Sequence, residues 1–457
     1  MRIKSISVRG LFGVFNHVIR MNLDDRITII HGPNGFGKTA LLRIIQSLFL
    51  SRLSRLRRTP FDELDIDFVG DAMLQIRRQK TELLKDFADN GDAILSFALI
   101  EKGQVKETYH LPDLLGKNAM QRGEMLESYL QHSAPAMEIE RAGKDSWLHL
   151  PTGSILTGEE AAEMYSDYLP RELQPKATIP DWLSQLTSSV GVRFIEAQRL
   201  LGFSSERRVR GYERGFRLEP TVLRCSNEMA MLIRDKQTEY GKKAQQLDST
   251  FPSRVLQLQS GKSVPVEQLK ERLESLEAQQ QRLLSVGVLP AEDHRRSMPA
   301  GDSSDEATRR ILSLYVGDVE EKLSVFNSLT ERVETLQRVI NERFSYKRLE
   351  IDARTGFRFV GRGDKNLQST DLSSGEQHEL VLFYELLFKT EENALILIDE
   401  PELSLHVAWQ VQFLKDLSAV TRLSGFDVLM ATHSPQIIND RWDLTVELKG
   451  PDDVTKP

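Results

Sequence analysis

Gly32-Pro33-Asn34-Gly35-Phe36-Gly37-Lys38-Thr39 is the stretch on which the reading of this chain turns. Its spacing, Gly-x-x-x-x-Gly-Lys-Thr, is the P-loop pattern, and its flanks are the ones that pattern requires. Upstream, Arg26-Ile-Thr-Ile-Ile-His31 is a short β-branched run of the kind that forms a buried strand. Downstream, Ala40 to Leu50 has helical spacing. Glycines at 32, 35 and 37 let the backbone, with Asn34 in the same wrap, close on a phosphate with its N–H groups turned inward. A helix beginning near Lys38 adds the positive end of its dipole. Lys38 is expected to bridge the β- and γ-phosphates of a nucleotide, and the Thr39 hydroxyl to bind Mg2+.

A second apolar run, Ala394-Leu-Ile-Leu-Ile398, ends in Asp399-Glu400-Pro401. An aliphatic strand ending in Asp is the Walker B arrangement, in which Asp399 holds magnesium through water. Glu400, adjacent and partly desolvated, is placed to orient or deprotonate an attacking water. Between the two motifs lies Asp371-Leu-Ser-Ser-Gly-Glu-Gln377. Ser373, Gly375 and the start of the following helix form a second expected anion site.

This last segment resembles the signature of ABC ATPases, usually Leu-Ser-Gly-Gly-Gln, with Ser374 in place of the first Gly and Glu376 in place of Gln. The resemblance implies that Ser373 and Gly375 contact ATP bound to an opposite subunit, in a homodimer or larger homo-oligomer clamped by nucleotide. It implies two further residues. His433, in Ala431-Thr-His433-Ser-Pro after the strand Phe426–Met430, stands where the family carries its switch histidine. Gln198, after Val192–Ala197, stands for the Q-loop glutamine near magnesium and the attacking water. The expected catalytic set is thus Glu400, His433 and Gln198, and the expected metal set Thr39, Gln198 and Asp399.

The P-loop and the signature lie about 335 residues apart. Within that interval Val266, Leu269, Leu273, Leu276 and Leu283 follow spacings of three and four, with Gln280 filling the one polar seam position, as do Leu323, Phe326, Leu329, Val333, Leu336 and Ile340. The expectation is an antiparallel helical hairpin or short coiled coil with its tip at Gly287–Asp302, its return helix projecting roughly 60 Å. Pro252 and Pro265 favour the competing reading, a compact helical subdomain. The fold class is therefore α/β: an ABC-type P-loop ATPase head split by a long helical insertion. Residues 1–224 would form its N-terminal lobe, 225–345 the insertion and 346–457 the C-terminal lobe.

That layout resembles the SMC, RecN and RecF-like branch. Glu400-Pro-Glu-Leu-Ser-Leu-His406 resembles the OLD-like ATPases and the stand-alone ATPases of the PARIS and Septu anti-phage systems. The resemblance implies ATP and Mg2+ as ligands and regulation of a separately encoded effector, a nuclease. The competing reading is a repair or recombination ATPase that binds DNA directly through Arg52, Arg55, Arg57 and Arg58, or through Arg207, Arg208, Arg210, Arg214 and Arg217.

Composition narrows the field. Sixty Lys and Arg against 67 Asp and Glu give a net charge of −7, which excludes a uniformly basic nucleic-acid binder. Cys225, the one cysteine among the 457 residues, excludes an intrachain disulfide framework and a cysteine-rich zinc site. No apolar run approaches the roughly 18 residues of a membrane span, and no signal peptide is visible, so the expected compartment is the cytoplasm.

Overall fold

A computed structural model describes residues 1–79, 94–111, 119–134, 139–143, 146–150, 154–165, 169–170, 179–195, 201–204, 217–257, 265–289, 305–403 and 405–450. The chain divides into two compact units, one of Met1–Glu219 with Lys389–Pro457, the other Pro220–Phe388. Residues 346–388, expected with the C-terminal lobe, thus cluster with the helices.

The first unit contains a five-stranded, all-parallel sheet in the order Val192–Ile195, Leu395–Asp399, Asp427–Ala431, Ile27–His31, Thr445–Glu447. Its three central strands are mainly apolar and buried along almost their whole length, the pattern of strands covered on both faces. In register, Asp399 pairs with Ala431 and Ala431 with Ile30, so the carboxyl ends of these strands lie level. A second, antiparallel sheet runs Phe15–Arg20, Ile3–Leu11, Glu63–Phe68, Ala72–Gln79, Ile94–Glu101, Gln104–Leu111. Here the pattern alternates: Leu64, Ile66 and Phe68 are buried while Asp65 and Asp67 are less so. Lys102 and Gly103, both at positive φ, make the tight turn between its last two strands. One core joins the two sheets to the helix Lys38–Phe49, whose Leu41, Leu42, Ile44, Ile45 and Leu48 are fully buried.

The second unit bears out a helical insertion, in four long pieces: Thr221–Gln257, Val266–Val286, Glu306–Leu323 and Asn327–Arg343. Its chain path differs from the expected hairpin. Arg272 pairs with Glu320 at 2.7 Å, Gln279 with Asn327 at 3.1 Å and Arg282 with Glu334 at 2.6 Å, so the two stretches run parallel. The antiparallel partner is instead Thr221–Gln257, where Arg254 meets Asp318 and Asp248 meets Lys322, each at 2.6 Å. Spacings of three and four identify the face a helix buries but not its direction. Gly287 is no tip: it caps Val266–Val286 at φ 83, and Val288 and Leu289 behind it are buried. A Cβ at Gly287 would overlap the Ile351 carbonyl. The remainder of the expected tip, residues 290–302, lies outside the described residues.

The unit closes with the antiparallel strands Lys347–Asp352, Gly356–Gly361 and Asn366–Leu367, followed by the helix Ser374–Phe388. That helix starts where it does because Ser373 and Glu376 make a capping box. The Glu376 carboxylate accepts the Ser373 N–H at 2.7 Å and the Ser373 hydroxyl at 2.8 Å, and Ser373 Oγ accepts the Glu376 N–H at 3.4 Å. Lys347 Nζ bonds both carboxylate oxygens, at 3.0 and 2.7 Å. Burial alone would raise the Glu376 carboxyl, but Lys347 and the Ser373 donors outweigh it and hold it below its ordinary value.

Two predictions follow from this unit's geometry. Gly287→Ala should cost at least about 2 kcal/mol, from a left-handed alanine and a displaced carbonyl, read as a lower urea midpoint; an unchanged midpoint would show that junction to be loose. Because the folded Glu376 carboxyl is depressed, its stabilisation is complete above the unfolded carboxylate value, about 4.3, and is lost as pH falls through the lower folded one. Glu376→Gln keeps the cap geometry without the charge. Its urea midpoint should lie below wild type at pH 7, and the gap should close as pH falls below about 4. A gap of constant size would assign the effect to shape rather than charge.

Candidate functional site

The P-loop is built as its sequence requires. Gly32, Gly35 and Gly37 have φ of 152, 88 and 83, and Gly37 is the left-handed residue from which the helix Lys38–Phe49 starts. A Cβ at Gly37 would meet Leu11 Cδ2 at 2.6 Å. Asn34 and Gly35 are exposed at the crest of the loop. Lys38 is buried, and its Nζ donates to the Gly32 carbonyl at 2.7 Å and the Pro33 carbonyl at 3.1 Å. No carboxylate lies within ion-pair distance of it among the described residues. A buried ammonium held only by carbonyls at a helix N-terminus fits an anionic ligand, which would supply the missing charge.

Thr39 and Asp399 are 360 positions apart, and Thr39 Oγ1 donates to Asp399 Oδ1 at 3.1 Å. The hydroxyl and the carboxylate are hard oxygen donors of the kind Mg2+ takes. Glu400 leaves the strand at φ 43, a left-handed conformation that costs a glutamate about 1–3 kcal/mol. Its N–H bonds the Ala431 carbonyl at 2.9 Å, tying the bend to the neighbouring strand. His433 follows that strand, half-exposed, with Nδ1 3.7 Å from Glu400 Oε1. Lys38, Thr39, Asp399, Glu400 and His433 therefore belong to the first unit, on or just beyond the level carboxyl edge of its parallel sheet, where open α/β sheets carry their ligands.

Ser373 and Gly375 belong to the second unit, at the start of the helix Ser374–Phe388. The side chain of Gln377 is turned back on the loop, donating to the Leu372 carbonyl at 2.8 Å. Gln198 lies outside the described residues, as do Arg207, Arg208, Arg210 and Arg214, and nothing is described of the Arg217 side chain. The first arginine cluster is used internally: Arg57 is buried, Arg55 lies 3.7 Å from the buried Glu160, and Arg52 and Arg58 also have partners. Among the described residues, no helix is long and apolar enough to cross a membrane.

Two residues at the site were not singled out from sequence. His17 Nε2 donates to the Phe36 carbonyl at 2.9 Å, propping the P-loop from behind, and burial lowers its imidazole pKa more than that bond raises it. Glu402, also buried, accepts from the Thr432 hydroxyl at 2.8 Å and the His433 N–H at 3.0 Å. A lone histidine and a third acid after Walker B give no signal without the tertiary fold.

Comparison with solved structures aligns the chain with the Smc head domain with an extended coiled coil from Pyrococcus furiosus, bound to the C-terminal domain of ScpA. Identity is 13%, with a TM-score of 0.33, over 98% of this chain and 94% of that one. A second SmcHead, bound to the C-winged helix domain of ScpA, aligns at 11% identity and a TM-score of 0.32, covering 99% and 95%. No curated protein matches. An AAA-domain family model, whose description names the AbiEii toxin of Type IV toxin–antitoxin systems as a candidate member, matches residues 232–439. Another, described as an AAA domain, matches residues 6–286, from the first strand through the P-loop to the end of the Val266–Val286 helix. With more than half of its length so matched, the chain belongs to the AAA-domain family.

Proposed function

We propose that this protein is a Mg-ATP-dependent, SMC-like ABC ATPase that dimerises around ATP and regulates a separately encoded effector, a nuclease, in anti-phage defence. The observation that carries the ATPase reading is the 3.1 Å contact between Thr39 and Asp399, which brings Walker A and Walker B together beside the buried Lys38. Lys38 gives up its carbonyl partners to hold the β- and γ-phosphates. Thr39 and Asp399, with Gln198, would hold the metal. A bound Mg2+ would neutralise charge on the phosphate oxygens as the β–γ bond breaks. Glu400 orients the attacking water and takes its proton, and His433 contacts the γ-phosphate.

Gly375 supplies its N–H, and Ser373 its hydroxyl once released from Glu376, at the start of a 15-residue helix, an anion site that the signature resemblance directs to the nucleotide of a second copy. Binding then closes the dimer and hydrolysis releases it, which makes the assembly a switch. The defence role rests on the resemblance of Glu400–His406 to the OLD-like and anti-phage ATPases. The competing repair reading draws no support from the Arg52–Arg58 cluster, whose partners lie within the chain.

Glu400→Gln should lower ATP turnover at least about 100-fold, the usual worth of a positioned general base. Its native mass, measured on protein purified with its neighbouring genes expressed, should rise to a dimer or larger only with Mg-ATP and should carry a nuclease. Retained DNA without a protein partner would favour the repair reading, and a monomer in both conditions would remove the trans signature. Ser373→Arg should abolish hydrolysis while leaving nucleotide binding by the monomer intact, measured by equilibrium binding; equal losses would place that residue outside a trans site.

A further inference from the structure

Glu402 is an acid with no part in the mechanism above, yet it is the acid most firmly bound to the switch segment. It is 9% exposed, and one oxygen, Oε1, collects three groups of that segment. Two are hydrogen bonds, from the Thr432 hydroxyl at 2.8 Å and the His433 backbone N–H at 3.0 Å; the third, His433 Nδ1 at 3.1 Å, is an ion-pair contact. A buried polar ring locks this arrangement. The Thr432 hydroxyl accepts the Ser434 N–H at 3.0 Å, the Ser434 hydroxyl donates to Gln410 at 3.0 Å, and the Gln410 amide donates back to the Glu402 carbonyl at 3.3 Å. Its other oxygen, Oε2, is buried with no hydrogen-bond partner among the described residues. A buried carboxylate in that condition needs its neighbours to be donors.

We infer that Glu402 is the positioning residue of the switch histidine: it keeps the proton of His433 on Nδ1 and fixes the ring, leaving Nε2 for the γ-phosphate. Nδ1 lies 3.1 Å from Glu402 and 3.7 Å from Glu400, so a lone pair there would face two negative charges. A proton on Nδ1 turns both contacts favourable. The nearer, buried acid is the stronger electrostatic partner of that proton, and Glu400 remains available to water. The second carboxylate of Glu400-Pro-Glu402 thereby acquires a task of its own: it acts through His433 and does not touch substrate. The kinetic part of this inference rests on the ATPase reading; the tautomer does not.

Steady-state ATP hydrolysis by the full chain tests it in four forms: wild type, Glu402→Gln, His433→Ala and the double variant. Glu402→Gln retains an acceptor for Thr432 and the backbone but loses the charge. Its kcat should fall about 10–100-fold, as for other partners that orient a functional histidine, with KM for ATP and the unfolding midpoint unchanged. In the His433→Ala background the same change should have no further effect, because its route is gone. Multiplied losses, or a change in KM alone, would overturn the inference and leave Glu402 a purely structural acid. A wild type without turnover would instead defeat the ATPase reading. In that case, as in every other, the 15N spectrum of His433 decides: an Nδ1–H ring in wild type that shifts toward Nε2–H in Glu402→Gln sustains the inference, and an Nε2–H ring in wild type overturns it.

Discussion

The register that pairs Asp399 with Ala431 and Ala431 with Ile30 sets the ends of three parallel strands level, and the site depends on it. A slip of one residue would move Asp399 along its strand by about 3.3 Å and turn its side chain to the other face. Its contact with Thr39 would be lost. Ile396, Leu397, Val428 and Leu429 are wholly enclosed, which holds these strands in the core. The strands come from distant parts of the chain, with the whole of Pro220–Phe388 inserted between them. The first unit can therefore close only after long-range contacts form, which makes its assembly a high-contact-order event.

What the sequence disclosed follows from how far each feature reaches along the chain. The strand–loop–helix around Gly32–Thr39 and the strand ending at Asp399 were legible because their pattern is packed into eight and seven adjacent residues that hydrophobic pattern alone brackets. The turn at Lys102-Gly103 was legible for the same local reason. The direction of the insertion helices was not. Val266–Val286 and Asn327–Arg343 each bury one apolar stripe, and such a stripe is compatible with either orientation. The pairs that settle it, such as Arg282 with Glu334, are polar and many positions apart. His17 and Glu402 stayed hidden because each acts on a backbone or ring brought to it by another element.

The departure of Asp371–Gln377 from the ABC signature has a local physical reason. Glu376, where the pattern has Gln, closes a capping box with Ser373 and binds Lys347. Either Glu or Gln can serve in that box, but only Glu attracts the lysine from the neighbouring sheet. The cost is that the Ser373 hydroxyl donates to its own helix cap. An anion approaching this helix start must draw on the free N–H groups of its first turn, or take the hydroxyl from Glu376.

The acids after the Walker B strand show how two like charges can occupy one loop without sharing one task. Glu400 is partly exposed, strained at φ 43, and tied to the next strand only through its N–H. Glu402 is buried, and three groups of the switch segment converge on one of its oxygens. Strain and partial exposure leave the Glu400 carboxylate open to water. Burial and convergence fix Glu402 and hold its neighbours still. The proline between them fixes one backbone torsion and so limits how far either acid can drift toward the other's position. In this loop the difference between the two carboxylates is set by burial and backbone geometry.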